Sequence, residues 1–170
     1  PLMQPEFLLA LLNRCRYEDI QTAVDTTCHA RTDVVQRVAE AANLFLCDIK
    51  HMDSEKHERY TGARNELILE NIKMLARAGR RIRVRIPIIP GFNDDPRNVE
   101  RTAEFVRSLR TVRGIDILPY NRGGLEKSVR LTADAQGFAS LLRAIPPANG
   151  RMEEIAGALR THGFEVKIGG

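Results

Sequence analysis

The chain has 170 residues, of which 43% are hydrophobic and 28% are charged, as expected for a globular protein with one apolar core. Its net charge of +4 is mild and its arginines are spread out, so the composition does not indicate binding to nucleic acid. No apolar run approaches the ~18 residues of a membrane span. Cys15, Cys28 and Cys47 are too widely spaced for a disulfide framework or a self-contained zinc site, which predicts a cytoplasmic protein.

Helices and strands alternate along the predicted chain. Predicted helices cover residues 5–16, about 32–42, a short segment from Ser54, 65–78, about 96–109, and two segments near 132–144 and 150–161. Predicted strands cover residues 20–27, 44–49, 81–89, 114–119 and 164–168. This alternation implies an α/β fold in which helices cover a parallel sheet, in a single domain over residues 1–170. A partial (β/α) barrel and an open doubly wound sheet both fit the pattern.

Polar side chains gather at the predicted C-terminal ends of the strands. Asp48 and Lys50 lie on one face of the second strand, because successive strand residues point to opposite faces. Asp25 closes the first strand, Arg85 lies in the third, and Asn121 follows the fourth. Ligands of α/β folds bind at this end of the strands, which indicates a ligand site.

The third strand has a charged face and an aliphatic face. Arg81, Arg83 and Arg85 alternate with Ile82 and Val84. A strand with this pattern has one side that contacts water or a ligand. The pattern favours a wide, incompletely packed barrel over a tightly filled one.

Each of these polar residues also has a purely structural interpretation. Asp25 could cap the following loop, Asp48 and Lys50 could form an internal ion pair, and Arg85 could pair with either acid. A buried ion pair contributes little to stability, which slightly favours a functional role. The segment 93–95 is interpreted as a turn followed by a helix cap.

The histidines are not predicted to bind metal. His51, His57 and His162 show no HxxxH spacing, and no CxxC motif accompanies them. They are predicted to lie at the surface or to support other residues.

Six segments resemble, in order and spacing, the activating enzymes of glycyl radical enzymes. They are DTT at 25–27, LFLCDIKHMD at 44–53, TG at 61–62, NELILENIKML at 65–75, RIPIIPGFND at 85–94 and ILPYN at 117–121. These enzymes are radical S-adenosylmethionine (SAM) proteins, and the resemblance covers nearly the whole chain. It implies a partial (β/α)6 barrel, a [4Fe-4S] cluster on a CxxxCxxC loop, and cleavage of SAM to a 5′-deoxyadenosyl radical. That radical takes a hydrogen from a glycine of a partner glycyl radical enzyme, such as pyruvate formate-lyase.

The resemblance also assigns roles to single residues. Asp48, Ile49 and Lys50 match a segment that contacts SAM. Asp25 and Asp48 match acids that can hold a monovalent cation near the SAM carboxylate. Arg85 matches an arginine lining the cavity that receives the glycine-bearing loop of the partner.

Asn121 occupies a cofactor-binding position that is often histidine in this family. Its amide can still form hydrogen bonds, but it cannot titrate near neutral pH. Any role at this position that needs an imidazole is therefore not expected of this chain.

The chain departs from the family because it has no CxxxCxxC motif. We therefore expect it to correspond to the C-terminal two thirds of an activating enzyme, to bind no cluster by itself and to be inactive alone. The alternatives are another radical-SAM or (β/α)-barrel enzyme, and a non-catalytic module that binds the partner. Residues 20–27 would then form an exposed sheet edge, which predicts a dimer through this edge or an N-terminal helix that covers it.

Overall fold

The computed structural model describes residues 1–120 and 148–169. These residues form, in order, α1 (Pro5–Tyr17), β1 (Ala23–Thr26), α2 (Thr32–Ala41), β2 (Leu44–Asp48), α3 (Ser54–Thr61), α4 (Glu66–Arg77), β3 (Ile82–Ile88), α5 (Pro96–Ser108), β4 (Gly114–Pro119), α6 (Asn149–Thr161) and β5 (Glu165–Ile168). Each predicted element within these ranges is therefore present, and the bounds of the first strand differ from the prediction. The helix predicted near 132–144 and the candidate residue Asn121 lie outside the described residues.

The five strands form one parallel sheet in the order β1-β2-β3-β4-β5. Each strand therefore pairs with the next one along the chain. A doubly wound sheet reverses its strand order at a switch point, whereas a barrel does not. The strand order thus decides between the two predicted architectures in favour of a partial barrel.

The first strand is shorter than predicted. β1 begins at Ala23, opposite Leu44 of β2, instead of at residue 20. Just before it, the backbone N–H and the hydroxyl of Thr22 bind the side-chain oxygen of Asn43, at 2.8 and 3.0 Å. The Leu44 N–H also binds the Thr22 carbonyl at 3.1 Å, so backbone pairing with β2 starts at Thr22 and the strand itself at Ala23.

The two faces of the sheet differ in chemistry, as the alternation predicts. Phe45, Cys47 and Ile49 of the β2 segment are buried beneath the helices, whereas Asp48 and Lys50 are half-buried on the opposite face. The core lies between the sheet and its helices. The other face carries the charges at the ends of the strands, so the fold directs the candidate site residues to the side away from the core.

The first helix is only partly covered. α1 packs on α2 through Leu8 and Leu12, while Phe7 and Leu11 remain exposed.

β1 lies at one edge of the sheet formed by residues 1–120 and 148–169. No helix within these ranges is both long enough and apolar enough to cross a lipid bilayer.

Candidate functional site

Four charged side chains meet at the carboxyl ends of β1, β2 and β3. The parallel register places Asp48 opposite Arg85. Arg85 Nε and Nη2 donate to Asp48 Oδ1 at 2.9 and 2.8 Å, and Arg85 also binds Asp25. Lys50 Nζ lies 3.5 Å from Asp48 Oδ2. We call Asp25, Asp48, Lys50 and Arg85 the charged cluster.

The charged cluster is only partly open to solvent. The Arg85 and Asp48 side chains are 17% and 19% exposed, whereas Asp25 is 60% exposed. Burial acts against the charge on Arg85, but the carboxylates of Asp48 and Asp25 outweigh it and raise the pKa of the guanidinium. Arg85 therefore stays cationic and neutralises charge on two acids that would otherwise repel each other.

Asp25 and Asp48, the two acids predicted to hold a cation, do lie together, and Arg85 bridges them. Arg85 donates to one oxygen of each carboxylate. Among residues 1–120 and 148–169, no group of three or more His, Cys, Asp or Glu side chains could hold a metal ion. The monovalent-cation site that the resemblance implies stays a prediction.

The charged cluster lies beside two cavities. A cavity of ≈ 320 Å³ is lined by Lys50 together with His29, His57, Tyr60 and Phe92, and most of its wall is apolar. The Tyr60 and Phe92 rings lie 4.4 Å apart between centroids. This volume is within the range of small-molecule sites.

The second cavity is smaller and more polar. Its volume is ≈ 280 Å³, and its lining includes Asp25 and Asp48 along with Leu2 and Met3 of the N-terminal segment. Asp48 and Lys50, two residues apart in the sequence, therefore line different cavities. A ligand that extended from one cavity to the other would pass the charged cluster.

Ile49 differs from its neighbours in how it can take part. Its side chain is 2% exposed and belongs to the hydrophobic core. Its backbone N–H donates to the carbonyl of Arg85 at 2.9 Å. Ile49 therefore holds the ends of β2 and β3 together, and its side chain does not face the cavities.

His51 and His57, which the sequence predicts to lie at the surface or to support other residues, are both buried. The backbone N–H of Asp53 donates to His51 Nδ1 at 2.9 Å, so the proton of neutral His51 is on Nε2. Nε2 has no hydrogen-bond partner within the described part of the chain. His57 Nδ1 lies 2.6 Å from the carbonyl of Ala63 and donates to it. Burial lowers the pKa of both imidazoles, so both are neutral at pH 7.

A second ion pair lies on the same face of the sheet, closer to the amino ends of the strands. Arg83 donates to both carboxylate oxygens of Asp116, at 2.6 and 2.5 Å. The guanidinium occupies the space where a Cβ at Gly114 would be. Alternation predicts that Arg83 faces this side, but its partner comes from β4 and could not be assigned without the register.

The turn after β3 contains a residue that sequence reasoning misses. Asp94 accepts from the Gly91 N–H at 2.8 Å and Asp95 caps α5, which confirms the predicted turn and cap. Asn93, however, is fully buried and donates to the carbonyls of Lys50 and Pro87, at 2.8 and 2.7 Å. No local signal marks this role, because Lys50 is 43 residues away along the chain.

Comparison with known proteins identifies the family. Residues 1–106 match the Radical SAM superfamily. The chain belongs to the radical SAM superfamily. This confirms the superfamily predicted from the sequence and agrees with the partial barrel.

Several of the similar proteins are named as activating enzymes, in agreement with the predicted family. The trans-4-hydroxy-L-proline dehydratase activating enzyme of Clostridioides difficile is 36% identical over 167 residues, covering 97% of this chain and 54% of the relative. The choline trimethylamine-lyase activating enzyme of Oleidesulfovibrio alaskensis is 33% identical over 171 residues, covering 98% and 54%. The chain thus spans about half the length of these curated relatives.

A solved structure gives the same result for the fold. A domain of pyruvate-formate lyase-activating enzyme from Bacteroides vulgatus superimposes with a TM-score of 0.82 and 34% sequence identity. The alignment covers 100% of this chain and 94% of that domain. A solved domain of nearly the same extent as this chain therefore has the same partial barrel fold.

Proposed function

We propose that this chain forms the SAM-facing and partner-facing part of an enzyme that activates a glycyl radical enzyme. The observation that carries the proposal is the charged cluster, which stands at the carboxyl ends of three strands beside a ligand-sized cavity. The naming of the similar proteins as activating enzymes supports the same class of reaction.

The residues present fit SAM. SAM carries a carboxylate, an ammonium group, ribose hydroxyls and an adenine ring, and it supplies the 5′-deoxyadenosyl group. Lys50 offers an ammonium group to the carboxylate or hydroxyls, and Asp48 offers carboxylate oxygens to hydroxyl or ammonium donors. The apolar wall with Tyr60 and Phe92 suits a planar ring. Arg85 balances the charge of the acids and holds Asp48 in one orientation.

The residues present do not fit a [4Fe-4S] cluster. Cys28 and Cys47 are both fully buried with their sulfur atoms 3.5 Å apart, and Cys15 lies on α1. The contact with Cys28 and burial raise the pKa of the Cys47 thiol well above its ordinary value, which disfavours the thiolate that iron requires. We therefore propose that these 170 residues alone neither hold the cluster nor generate radicals.

The partner in this proposal is a glycyl radical enzyme. Pyruvate formate-lyase is one candidate, and the dehydratase and lyase in the names of the relatives are others. Arg85 would line the cavity that receives the glycine-bearing loop, since it lies at the open ends of the strands. The reaction is proposed to take place in the cytoplasm.

A non-catalytic partner-binding module is the second candidate. The charged cluster and both cavities are formed by residues of this chain alone, which is what such a module would need.

A chimera separates these proposals. The chain would replace the matching 54% of the C. difficile trans-4-hydroxy-L-proline dehydratase activating enzyme, and the glycyl radical on the dehydratase would be measured by electron paramagnetic resonance. We expect a radical signal. Lys50→Met should reduce the signal about tenfold or more, whereas Lys56→Met, on the exposed side of α3, should leave it unchanged.

The result that overturns the proposed activity is a folded chimera that binds the dehydratase but forms no radical. That result would support the non-catalytic module. A radical signal that Lys50→Met leaves intact would instead contradict the role given to Lys50.

A further inference from the structure

We propose that Asn93 is a positioning residue that fixes the backbone of Lys50 and thereby places its ammonium group beside Asp48. The inference rests on the proposed function insofar as Lys50 faces SAM. Asn93 binds the main-chain carbonyl of Lys50, so it acts on the Lys50 side chain through the backbone.

Both the nitrogen and the oxygen of the Asn93 side-chain amide form hydrogen bonds. Nδ2 donates to the carbonyls of Lys50 and Pro87 at 2.8 and 2.7 Å, and Oδ1 accepts from the Ile89 N–H at 2.8 Å. The residue is fully buried. Only an amide of this length supplies two donors and an acceptor in one plane, so a carboxylate of the same shape could not replace it.

This amide holds the strands together where the β2–β3 ladder stops. The last backbone bond at this end runs from the Ile49 N–H to the Arg85 carbonyl, at 2.9 Å. A parallel ladder would continue through the backbone N–H of residue 87, which is a proline and has none. Asn93 takes over by binding the Lys50 carbonyl on one side and the Pro87 carbonyl on the other.

Two further buried amides hold the same segment. Asn98 donates to the Asn93 carbonyl at 2.9 Å and accepts from the Met52 N–H at 2.9 Å, and Asn65 donates to the His51 carbonyl at 2.8 Å. The segment 50–52 has no regular secondary structure of its own. Its path therefore depends on side-chain amides, and Asn93 is the one that binds Lys50.

The position of the Lys50 backbone matters because its side chain is long and flexible. Lys50 Nζ is 3.5 Å from Asp48 Oδ2, and its side chain is 28% exposed. A lysine side chain has several rotatable bonds, so a fixed backbone limits the positions that its ammonium group can reach. Loss of the Asn93 donors should free Lys50 while the bonds between Arg85 and Asp48 persist.

The test compares Asn93→Asp with Asn71→Asp in the 170-residue chain. Asn71 is also fully buried, and its Nδ2 donates to the carbonyls of Cys28 and Ala30 at 2.8 and 2.7 Å. Each substitution replaces an NH2 group that donates to two carbonyls with one carboxylate oxygen that faces them, so both should destabilise the protein. The two variants differ in which loop loses its bonds.

The measurements are hydrogen–deuterium exchange at residues 49–53 and the dissociation constant for SAM by calorimetry. The N–H groups of Ile49, Met52 and Asp53 are bonded and report on this segment. Asn93→Asp should increase their exchange about tenfold or more and weaken SAM binding by about the same factor. Asn71→Asp should increase exchange at residues 27–31 instead.

Exchange at residues 49–53 that is unchanged in Asn93→Asp, or that rises equally in Asn71→Asp, would overturn the proposal. If Asn93→Asp does not fold, Asn93→Ser, which keeps one hydroxyl donor, is judged by the same exchange criterion with a smaller expected rise. If the unsubstituted chain binds no SAM, the proposed SAM-facing role of Lys50 fails, while the exchange data still decide the positioning role.

Discussion

At the scale of single residues, Arg85 determines the arrangement of the charged cluster. It is the only one of the four members that contacts both acids, and it does so across two neighbouring strands. An ion pair that loses one partner leaves the other with an uncompensated, partly desolvated charge. Substitution of Arg85 is therefore the most informative single change in the cluster.

We expect Arg85→Met to lower the free energy of unfolding by about 2–3 kcal/mol at pH 7, because two partly covered carboxylates lose their shared cation. Urea denaturation monitored by circular dichroism would measure the change. Arg81→Met is the matched control, since Arg81 directly precedes β3 and is exposed, and it should change stability by less than about 0.5 kcal/mol. Equal effects of the two substitutions would contradict the role assigned to Arg85.

The buried His51 predicts a pH dependence. Its pKa is lowered in the folded protein, by burial and then by Lys56, so the folded state binds fewer protons than the unfolded state as the pH falls. This contribution to stability is present above the ordinary histidine pKa of about 6.5 and is lost as the pH falls through the lowered folded pKa. We expect the unfolding free energy to decrease between about pH 7.5 and pH 5.5.

The control for this dependence is His51→Asn, whose oxygen can still accept from the Asp53 N–H. Its unfolding free energy should depend less on pH over the same range than that of the unsubstituted chain. His57 has a pKa that burial also lowers, so part of the dependence should remain. An unchanged slope in His51→Asn would rule out the contribution of His51.

At the scale of elements, β1 offers one free edge of the described sheet to a partner. It pairs with β2 on one side and forms an edge of the described sheet on the other. The Leu44 N–H binds the Thr22 carbonyl, so residues 22, 24 and 26 face β2 in the ladder and the backbone groups of Ala23 and Asp25 face outward. Outward-facing backbone groups of this kind recruit further strands.

We expect the 170-residue chain to self-associate through β1 with increasing concentration, as measured by sedimentation velocity. Ala23→Pro removes an outward-facing N–H without removing a bond to β2, so it should shift the chain towards monomer. Ala23→Ser, which keeps the N–H, should associate like the unsubstituted chain. A chain that stays monomeric at all concentrations would disprove the predicted dimer.

At the scale of the whole molecule, the partial barrel has two chemically different sides in its described residues. The sheet carries a hydrophobic core on one side and ion pairs on the other. The two buried cysteines lie on the core side, away from the charged cluster. The charged cluster and the two buried cysteines thus lie on opposite sides of the sheet.

We expect anaerobic reconstitution of the 170-residue chain with iron and sulfide to yield far less than four irons per chain, and no 5′-deoxyadenosine after addition of SAM and a reductant. Iron analysis and chromatography of the products would measure both. The chimera, which adds the remaining part of the relative to this chain, is the positive control. Stoichiometric iron and SAM cleavage by the chain alone would refute the prediction.

Much of this architecture could be predicted from the sequence. The alternation of Phe45, Cys47 and Ile49 with Asp48 and Lys50 assigned two faces to β2, because successive strand side chains point in opposite directions wherever the strand lies. The cap at Asp95 and Pro96 in the first helical position predicted where α5 begins. The motifs shared with activating enzymes predicted the superfamily that the comparisons confirm.

Only the tertiary structure decided which groups meet. Arg85 contacts Asp48 and Asp25, which are 37 and 60 residues away, and Asn93 reaches Lys50 across 43 residues. The strand order also selected the barrel over the doubly wound sheet. The physical reason is range: face alternation and helix caps follow from bonds within a few residues, whereas ion pairs and amide bridges depend on the register between strands, which the whole core sets.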